Sequence, residues 1–280
     1  MKKSHNQQTT RLSLARIASL FVISSSGLVG TSQADAGQPI YATGFEPLAF
    51  VANTPLAGQD GWNAPPPLSP NAAMVTSDKP RIGRQTVHVL GADLEHQDFI
   101  NGATGGYYDA IGSYRHPVDY DTGNTQKVRV SAHVRIDGPK TATGNNFFSA
   151  GIAVIGVDDN GDPSGIGELA ISSDGHAYGY SSQDLVPTFL TSKRVRLGEW
   201  HKLAVVTDFT KRTYSFFVDE DWLGTFDFDA SATSSVLRRG SMVAYAAPDT
   251  TANQKAHYAA HFDEFSIKVE ADRHCDDHDD

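Results

Sequence analysis

The stretch "EWHKLAVVTDFTKRTYSFFVDEDWLGTFDF", Glu199 to Phe228, decides the fold class. It contains runs rich in Val, Thr, Tyr and Phe, which are typical of β-strands, separated by short polar segments. Turns are predicted at Thr210–Arg212 and around Glu220–Asp221, where polar residues interrupt the apolar runs. The stretch therefore predicts three antiparallel strands joined as a meander.

A second stretch, "KVRVSAHVRI", has the alternation of a half-buried strand. One face carries Val128, Val130, Ala132, Val134 and Ile136, and the other carries Lys127, Arg129, Ser131, His133 and Arg135. Similar short runs follow, including "FFSAGIAVIGV", "GELAISS", "HAYGYSS" and "SMVAYAA", and helical periodicity is nearly absent after residue 36. The sequence predicts an all-β, mostly antiparallel domain.

The first residues have the pattern of an export signal. "MKKSHNQQTTRLSLAR" is basic with no acid, "IASLFVISSSGLVG" is apolar and small, and the small-residue sites "SQA" and "ADA" follow. This pattern predicts a signal peptide over residues 1–36 and a secreted protein, either extracellular or periplasmic. Because the apolar run is short and rich in serine, we expect no membrane span after cleavage.

The charge balance bears on the partners. The chain has 23 basic and 33 acidic residues, a formal net charge of −10 at pH 7, and the net charge becomes −13 once residues 1–36 are removed. Such a chain is not expected to bind nucleic acid or anionic lipid. An acidic surface repels polyanions in general, although a local cluster of arginines can override that repulsion.

Cys275 is the single cysteine of the 280-residue chain, so no intrachain disulfide can form. An exported chain without disulfides depends on a large core, on a metal, or on both. We expect one domain over residues 37–270, a disordered acidic tail over residues 271–280, and a monomer.

Four pieces in order, "GFEP", "AGQDGW", the meander and "FDEFSI", resemble the concanavalin A-like lectin/glucanase superfamily, including its laminin-G-like branch. The resemblance covers roughly residues 40–270. It implies a two-sheet antiparallel jelly-roll sandwich with one concave face. A fold of this kind does not by itself name a function.

The resemblance also implies a structural calcium. Jelly-roll carbohydrate modules often pair an acid of an N-terminal "F-E" with an aspartate of the last strand, and the matching residues here are Glu46 and Asp263. Calcium takes several oxygen ligands at once, which two carboxylates and nearby backbone carbonyls can supply.

The loop "VDDNGDPSGIGE" is a weaker metal candidate. Asp158, Asn160 and Asp162 match the first three ligand positions of an EF-hand loop. However, Pro163 replaces the required glycine and Leu169 replaces the required glutamate. Because strand-like sequence lies on both sides, the loop is interpreted as a hairpin turn.

Glycoside hydrolysis of the kind found in this superfamily requires carboxylates in the order E-x-D-x-E or E-x-D-x-x-E on one strand. That pattern is absent from the sequence. If the protein is an enzyme, a polysaccharide lyase is therefore favoured over a glycoside hydrolase.

A lyase acting by β-elimination on a uronate polymer needs a cation and a Tyr or His that moves the proton. Arg129, His133 and Arg135 on one strand face, with Tyr178 from a neighbouring strand, supply those residue types. The alginate-lyase signatures "R-T-E-L-R" and "Q-I-H" are absent, and a solvated strand face carries the same residue types. No catalytic residue is assigned on this basis.

Aromatic and polar side chains on exposed faces suit a glycan, because sugar rings stack on aromatic faces. The candidate carbohydrate-binding residues are Trp62, Arg129, His133, Arg135, Tyr178 and Tyr180. Trp200 and Trp222, which flank the meander, are predicted to be core residues. The sequence thus favours a secreted protein that binds a polysaccharide or cell-surface glycan. The alternatives are the lyase and a non-catalytic adhesion or matrix protein.

Overall fold

A computed structural model of the protein describes residues 39–64, 72–90, 110–121, 127–138, 147–157, 163–183, 186–228, 236–247 and 258–270. Fifteen β-strands make up the regular structure of these ranges. No helix occurs in these ranges, and so none of the described residues forms a helix able to cross a membrane.

The strands are numbered in chain order. They are β1 (Pro39–Thr43), β2 (Thr54–Pro55), β3 (Ala73–Thr76), β4 (Thr86–Leu90), β5 (Ala110–Asp121), β6 (Lys127–Asp137), β7 (Phe147–Val157), β8 (Pro163–Ser172), β9 (His176–Gln183), β10 (Val186–Arg194), β11 (His201–Asp208), β12 (Thr213–Val218), β13 (Asp221–Asp227), β14 (Val236–Ala247) and β15 (Ala259–Glu270).

These strands form two sheets. One sheet has nine strands in the order β13-β12-β11-β6-β15-β4-β3-β2, with β1 also paired to β15. The other has six strands in the order β10-β9-β8-β7-β14-β5. Every pairing between these strands is antiparallel. The prediction of an all-β, two-sheet antiparallel jelly-roll sandwich is confirmed.

The meander predicted from residues 199–228 is present as β11, β12 and β13, which are adjacent in the nine-stranded sheet. Its second turn is centred on Asp219 and Glu220, whose φ angles are 54° and 67°. Two consecutive residues with positive φ are the geometry of the two-residue hairpin turn that matches the twist of the flanking strands.

The core lies between the two sheets and is built by alternation along each strand. The predicted apolar face of β6 is almost completely buried, at Val128, Val130, Ala132, Val134 and Ile136. Phe148 and Ile152 of β7 and Leu169 of β8 join the same core from the six-stranded sheet. The side chains between these positions consequently face away from the core, on the outer face of each sheet.

Trp62 is a core residue and the prediction that it binds carbohydrate is wrong. Its side chain is 1% exposed and its ring packs edge-on against Phe265, with the ring centroids 4.9 Å apart. The indole Nε1 donates a hydrogen bond to the hydroxyl of Tyr41 at 2.9 Å. Buried in this way, the ring presents no face on which a sugar can stack.

Trp222 is exposed, so the prediction that it is a core residue is wrong. Trp222 was expected in the core, yet it is 64% exposed. It directly follows the hairpin turn, at the start of the edge strand β13. Strand β13 reaches the core through Leu223 and Phe226 instead.

Several sequence predictions lie outside the described residues. These are the signal peptide over residues 1–36, the acidic tail over residues 271–280 and the loop 158–162. The strands on either side of that loop, β7 and β8, pair with Val157 opposite Pro163. The loop therefore joins two adjacent antiparallel strands, as its interpretation as a hairpin requires.

The two tryptophans provide a matched test of the core. Trp62→Ala is expected to lower the free energy of unfolding by about 3–5 kcal/mol, because it removes a large buried ring and leaves a cavity. Trp222→Ala is expected to change it by less than about 0.5 kcal/mol. Urea unfolding of both variants measures the difference, and equal losses would contradict the packing described here.

Candidate functional site

The polar face of β6 is occupied by ion pairs with neighbouring strands. The pairs are Arg129 with Glu270, His133 with Glu264, and Arg135 with Asp137. Arg129 also lies over the ring of Phe217, 4.9 Å from its centroid. Each of these three candidate ligand residues thus already has an acidic partner within the protein.

The lyase set predicted on this face does not come together. Strand β6 belongs to the nine-stranded sheet and pairs with β11 and β15, whereas Tyr178 lies on β9 of the six-stranded sheet. Arg129, His133 and Arg135 lie on the outer face of one sheet and Tyr178 on the outer face of the other, with the core between them. The prediction that β6 and β9 are neighbours is wrong.

The environment of His133 makes its imidazole a weak base with no proton to donate at neutral pH. Burial, helped by the nearby Arg81 cation, lowers the pKa of the His133 imidazole to about 4. The ring is therefore neutral at physiological pH despite its contact with Glu264.

The outer face of the six-stranded sheet gathers a different set of side chains. Leu169 and Ile171 of β8 are in the core, so Glu168 between strands β7 and β9 points outward. The same alternation places Tyr178 and Tyr180 of β9, and Ser241 and Tyr245 of β14, on that face. We call it the Glu168 face; its members are Gly151, Ala153, Glu168, Ala170, Ser172, Tyr178, Tyr180, Arg239, Ser241 and Tyr245.

Strand register aligns part of this face as a row across the sheet. Tyr180 lies opposite Glu168, Glu168 opposite Ala153, and Ala153 opposite Ser241. The register continues from Ser241 to Arg115 on β5. Residues far apart in the sequence are thus placed side by side, perpendicular to the strands.

Glu168 and Tyr245 are joined by a short hydrogen bond. The Tyr245 hydroxyl donates to Oε2 of Glu168 at 2.6 Å, across the intervening strand β7. Gly151 of β7 lies opposite Ala170, between the two groups in the register. A side chain at Gly151 would overlap the backbone of Leu169 and Ala170, so only glycine fits the gap.

The environment of Glu168 changes its ionisation. Burial raises the pKa of its carboxyl from the ordinary 4.5 to about 7, and the hydrogen bond from Tyr245 offsets part of that rise. A carboxyl with a pKa near 7 can take up or release a proton at physiological pH. Perturbed groups of this kind are concentrated at functional sites.

Tyr178 and Tyr180 form an aromatic pair beside Glu168, with ring centroids 6.1 Å apart. Tyr178 is half-buried, and its hydroxyl donates to Oδ2 of Asp174 at 2.6 Å, which raises the pKa of Tyr178 to about 12. Tyr180 is 4% exposed. Tyr178 is therefore the ring that a ligand can reach, and Tyr180 packs next to it.

Two hydroxyl groups on the Glu168 face have no hydrogen-bond partner. Ser241 and Ser172 are both fully buried, and neither Oγ atom meets a donor or acceptor in the described part of the chain. A buried polar group without a partner costs stability, and most native proteins avoid it. Both hydroxyls therefore retain unused hydrogen-bonding capacity, although neither side chain is exposed.

Glu46 and Asp263, the predicted calcium ligands, both accept hydrogen bonds from the backbone of residues 81–85. Oε1 of Glu46 accepts a hydrogen bond from the amide of Arg84 at 2.9 Å, and Oδ2 of Asp263 accepts one from the amide of Arg81, also at 2.9 Å. Asp263 is 0% exposed, and burial raises its pKa. The structure thus brings the two carboxylates to one place, with backbone amides as their present partners.

No group of three or more His, Cys, Asp and Glu side chains is placed to hold a metal ion within the described ranges. Calcium at Glu46 and Asp263 would therefore need backbone oxygens as well, as the sequence prediction assumed. It stays a prediction.

Comparison with solved structures identifies the fold. An endo-1,3-beta-glucanase from Streptomyces sioyaensis aligns with 84% of this chain and 97% of its own, at 11% identity and a TM-score of 0.56. A carbohydrate esterase from the Shiga toxin-encoding bacteriophage phi24B aligns with 84% of this chain and 99% of its own, at 12% identity and a TM-score of 0.52. This chain has the same jelly-roll fold as these two proteins. No protein-family model and no curated protein matches the sequence.

Sequence reasoning missed the two residues at the centre of the jelly roll's Glu168 face. Glu168 and Tyr245 are 77 positions apart, so no local motif contains both. The available signal was alternation: in "GELAISS", Glu168 shares a face with Ala170 and Ser172, opposite Leu169 and Ile171. A single acid on an otherwise apolar strand was the clue.

The raised pKa of Glu168 predicts a pH-dependent stability. Between pH 4.5 and pH 7 the folded chain keeps a proton that the unfolded chain releases, so this contribution is complete below pH 4.5 and is lost as the pH rises through 7. The loss is on the order of 2–3 kcal/mol. The Glu168→Gln variant should not show this pH-dependent loss of stability, because its side chain cannot ionise.

Urea unfolding of the wild type and Glu168→Gln at pH 4.5, 6 and 8 measures this effect. The wild type should lose stability relative to the variant as the pH rises. A difference that stays constant across this range would show that Glu168 titrates normally.

Proposed function

We propose that the protein is a secreted carbohydrate-binding protein and that it binds a polysaccharide or cell-surface glycan on the Glu168 face. One observation carries the proposal: a partly exposed tyrosine ring and a carboxyl group lie on a single sheet face. Tyr178 and Glu168 supply these two groups.

These groups match the chemistry of a sugar. The ring of Tyr178 offers an apolar face for the C–H groups of a pyranose, and Glu168 offers hydrogen bonds to its hydroxyls. Strands are about 4.8 Å apart, so the row from Tyr180 to Ser241 spans roughly 14 Å. That span suits several sugar units of a chain better than a single ring.

Two further findings support the proposal. The glucanase and the esterase with similar folds are proteins that act on carbohydrates. The signal-like leader of this chain fits a protein that meets polysaccharides outside the cytoplasm. The polar face of β6 is less suitable, because its cations are already paired with acids.

Tyr178→Ala should weaken binding to the recognised polymer by about three- to ten-fold, because it removes the stacking ring. Retention on immobilised neutral and acidic polysaccharides measures the effect. Trp222→Ala is the control. It removes a large aromatic ring that is 64% exposed on the nine-stranded sheet, away from the Glu168 face.

Three outcomes have different meanings. Loss in Tyr178→Ala alone supports binding on the Glu168 face. Loss in Trp222→Ala alone would move the binding site to the nine-stranded sheet. If the wild type binds no polymer, the adhesion or matrix alternative replaces the proposal.

We also propose that Glu46 and Asp263 contribute to a structural calcium site. Two observations support this site: both carboxylates accept hydrogen bonds from residues 81–85, and the buried Asp263 accepts them from backbone amides in the described part of the chain. A cation there would offset the cost of burying this carboxylate.

Thermal unfolding with excess calcium and with a chelator tests that site. The chelator should lower the Tm by several degrees, since calcium binds the folded state selectively. Asp263→Asn should abolish the difference, whereas Glu264→Gln should keep it, because Glu264 contacts Arg81 and His133 instead. An unchanged wild-type Tm would remove calcium from the proposal.

A further inference from the structure

We propose that Glu168 and Tyr245 are an acid–base pair that cleaves a uronate polysaccharide by β-elimination. This inference rests on the proposed binding of a glycan to the Glu168 face. It differs from the lyase arrangement suggested by the sequence, whose residues lie mainly on the opposite sheet.

The residues present favour elimination over hydrolysis. Two-carboxylate hydrolysis needs a second carboxyl group opposite the first. Among the described side chains of the Glu168 face, Glu168 is the one carboxyl group, and Asp174 lies in the turn at its edge, bonded to Tyr178. Elimination needs one base and one acid, which Glu168 and Tyr245 provide.

The proton transfers balance within the pair. The Glu168 carboxylate takes the proton from C5 of the uronate, and the C–H electron pair forms a double bond between C4 and C5. The C4–O bond breaks, and the Tyr245 hydroxyl gives its proton to the departing O4. The proton on Glu168 then returns to the Tyr245 phenolate through their 2.6 Å hydrogen bond. No water or other reactant is consumed.

Each member of the pair suits its role. The carboxyl of Glu168 has a pKa of about 7, so it is both available as a base and strong enough to accept the C5 proton. Tyr178 suits the acid role less well, because its hydroxyl donates to Asp174, which opposes loss of its proton.

The same face places a cationic residue where a uronate carboxylate would bind. Arg239 lies on β14 two residues from Ser241, on the Glu168 face. A cation beside the uronate carboxylate stabilises the negative charge that develops when C5 loses its proton. Such a local cation also allows an acidic protein to bind an acidic polymer.

The distance between the two groups predicts the stereochemistry. Since their oxygens are 2.6 Å apart, base and acid act from the same side of the sugar ring. The proton on C5 and the oxygen on C4 must then lie on the same side, as they do in 1,4-linked D-mannuronate and D-glucuronate. They lie on opposite sides in D-galacturonate and in L-guluronate, the C5 epimer of mannuronate.

The experiment incubates the full chain with polymannuronate, polyglucuronate, polyguluronate and polygalacturonate. Ultraviolet absorbance of the new double bond measures cleavage, and retention on the immobilised polymer measures binding. Absorbance should rise with one or both of the first two polymers and not with the last two. Glu168→Gln and Tyr245→Phe should each slow cleavage by about 100-fold or more while still folding cooperatively and being retained on the immobilised polymer.

His133→Gln is the control variant, because it alters the outer face of the other sheet and should cleave at the wild-type rate. Binding without absorbance on any uronate polymer would overturn the cleavage and leave the proposed function intact. Equal cleavage of mannuronate and guluronate polymers, or a wild-type rate in Tyr245→Phe, would overturn the role of the pair. Absence of both binding and cleavage would overturn both proposals.

Discussion

The packing of one sheet on the other is the constraint on which the rest of the structure depends. Because every second residue of β6, β7 and β8 enters the core, the direction of every remaining side chain on those strands is determined. The residues left outside form two outer faces that cannot touch each other. A functional site on this jelly roll must therefore be assembled on one face, from several strands.

The two outer faces differ in whether their polar groups are paired with each other. On the nine-stranded sheet, cations and acids of neighbouring strands neutralise each other, as Arg129 and Glu270 do. On the six-stranded sheet, Glu168 is hydrogen-bonded to a tyrosine, while the Ser241 hydroxyl meets no hydrogen-bond partner among the described residues. The charged groups on the nine-stranded sheet are therefore already paired within the protein. The six-stranded sheet keeps an ionisable carboxyl group and unsatisfied hydrogen-bonding groups.

Alternation made much of the fold predictable. It identified the apolar face of β6 and the three strands of the meander, because these depend on residues close together in the sequence. It did not show that β6 and β9 belong to different sheets, since pairing between distant strands has no local signature. For the same reason Glu168 and Tyr245 were missed, and burial of single tryptophans was assigned incorrectly for Trp62 and Trp222.

Gly151 connects the stability of the sheet to the geometry of the Glu168–Tyr245 pair. Any larger residue there would overlap Leu169 and Ala170 and so push β7 away from β8, the strand that carries Glu168. The position of the pair is consequently established when the sheet forms, before any ligand arrives. Glu168 and Tyr245 thus need no rearrangement on binding of the proposed ligand, because folding has already placed them.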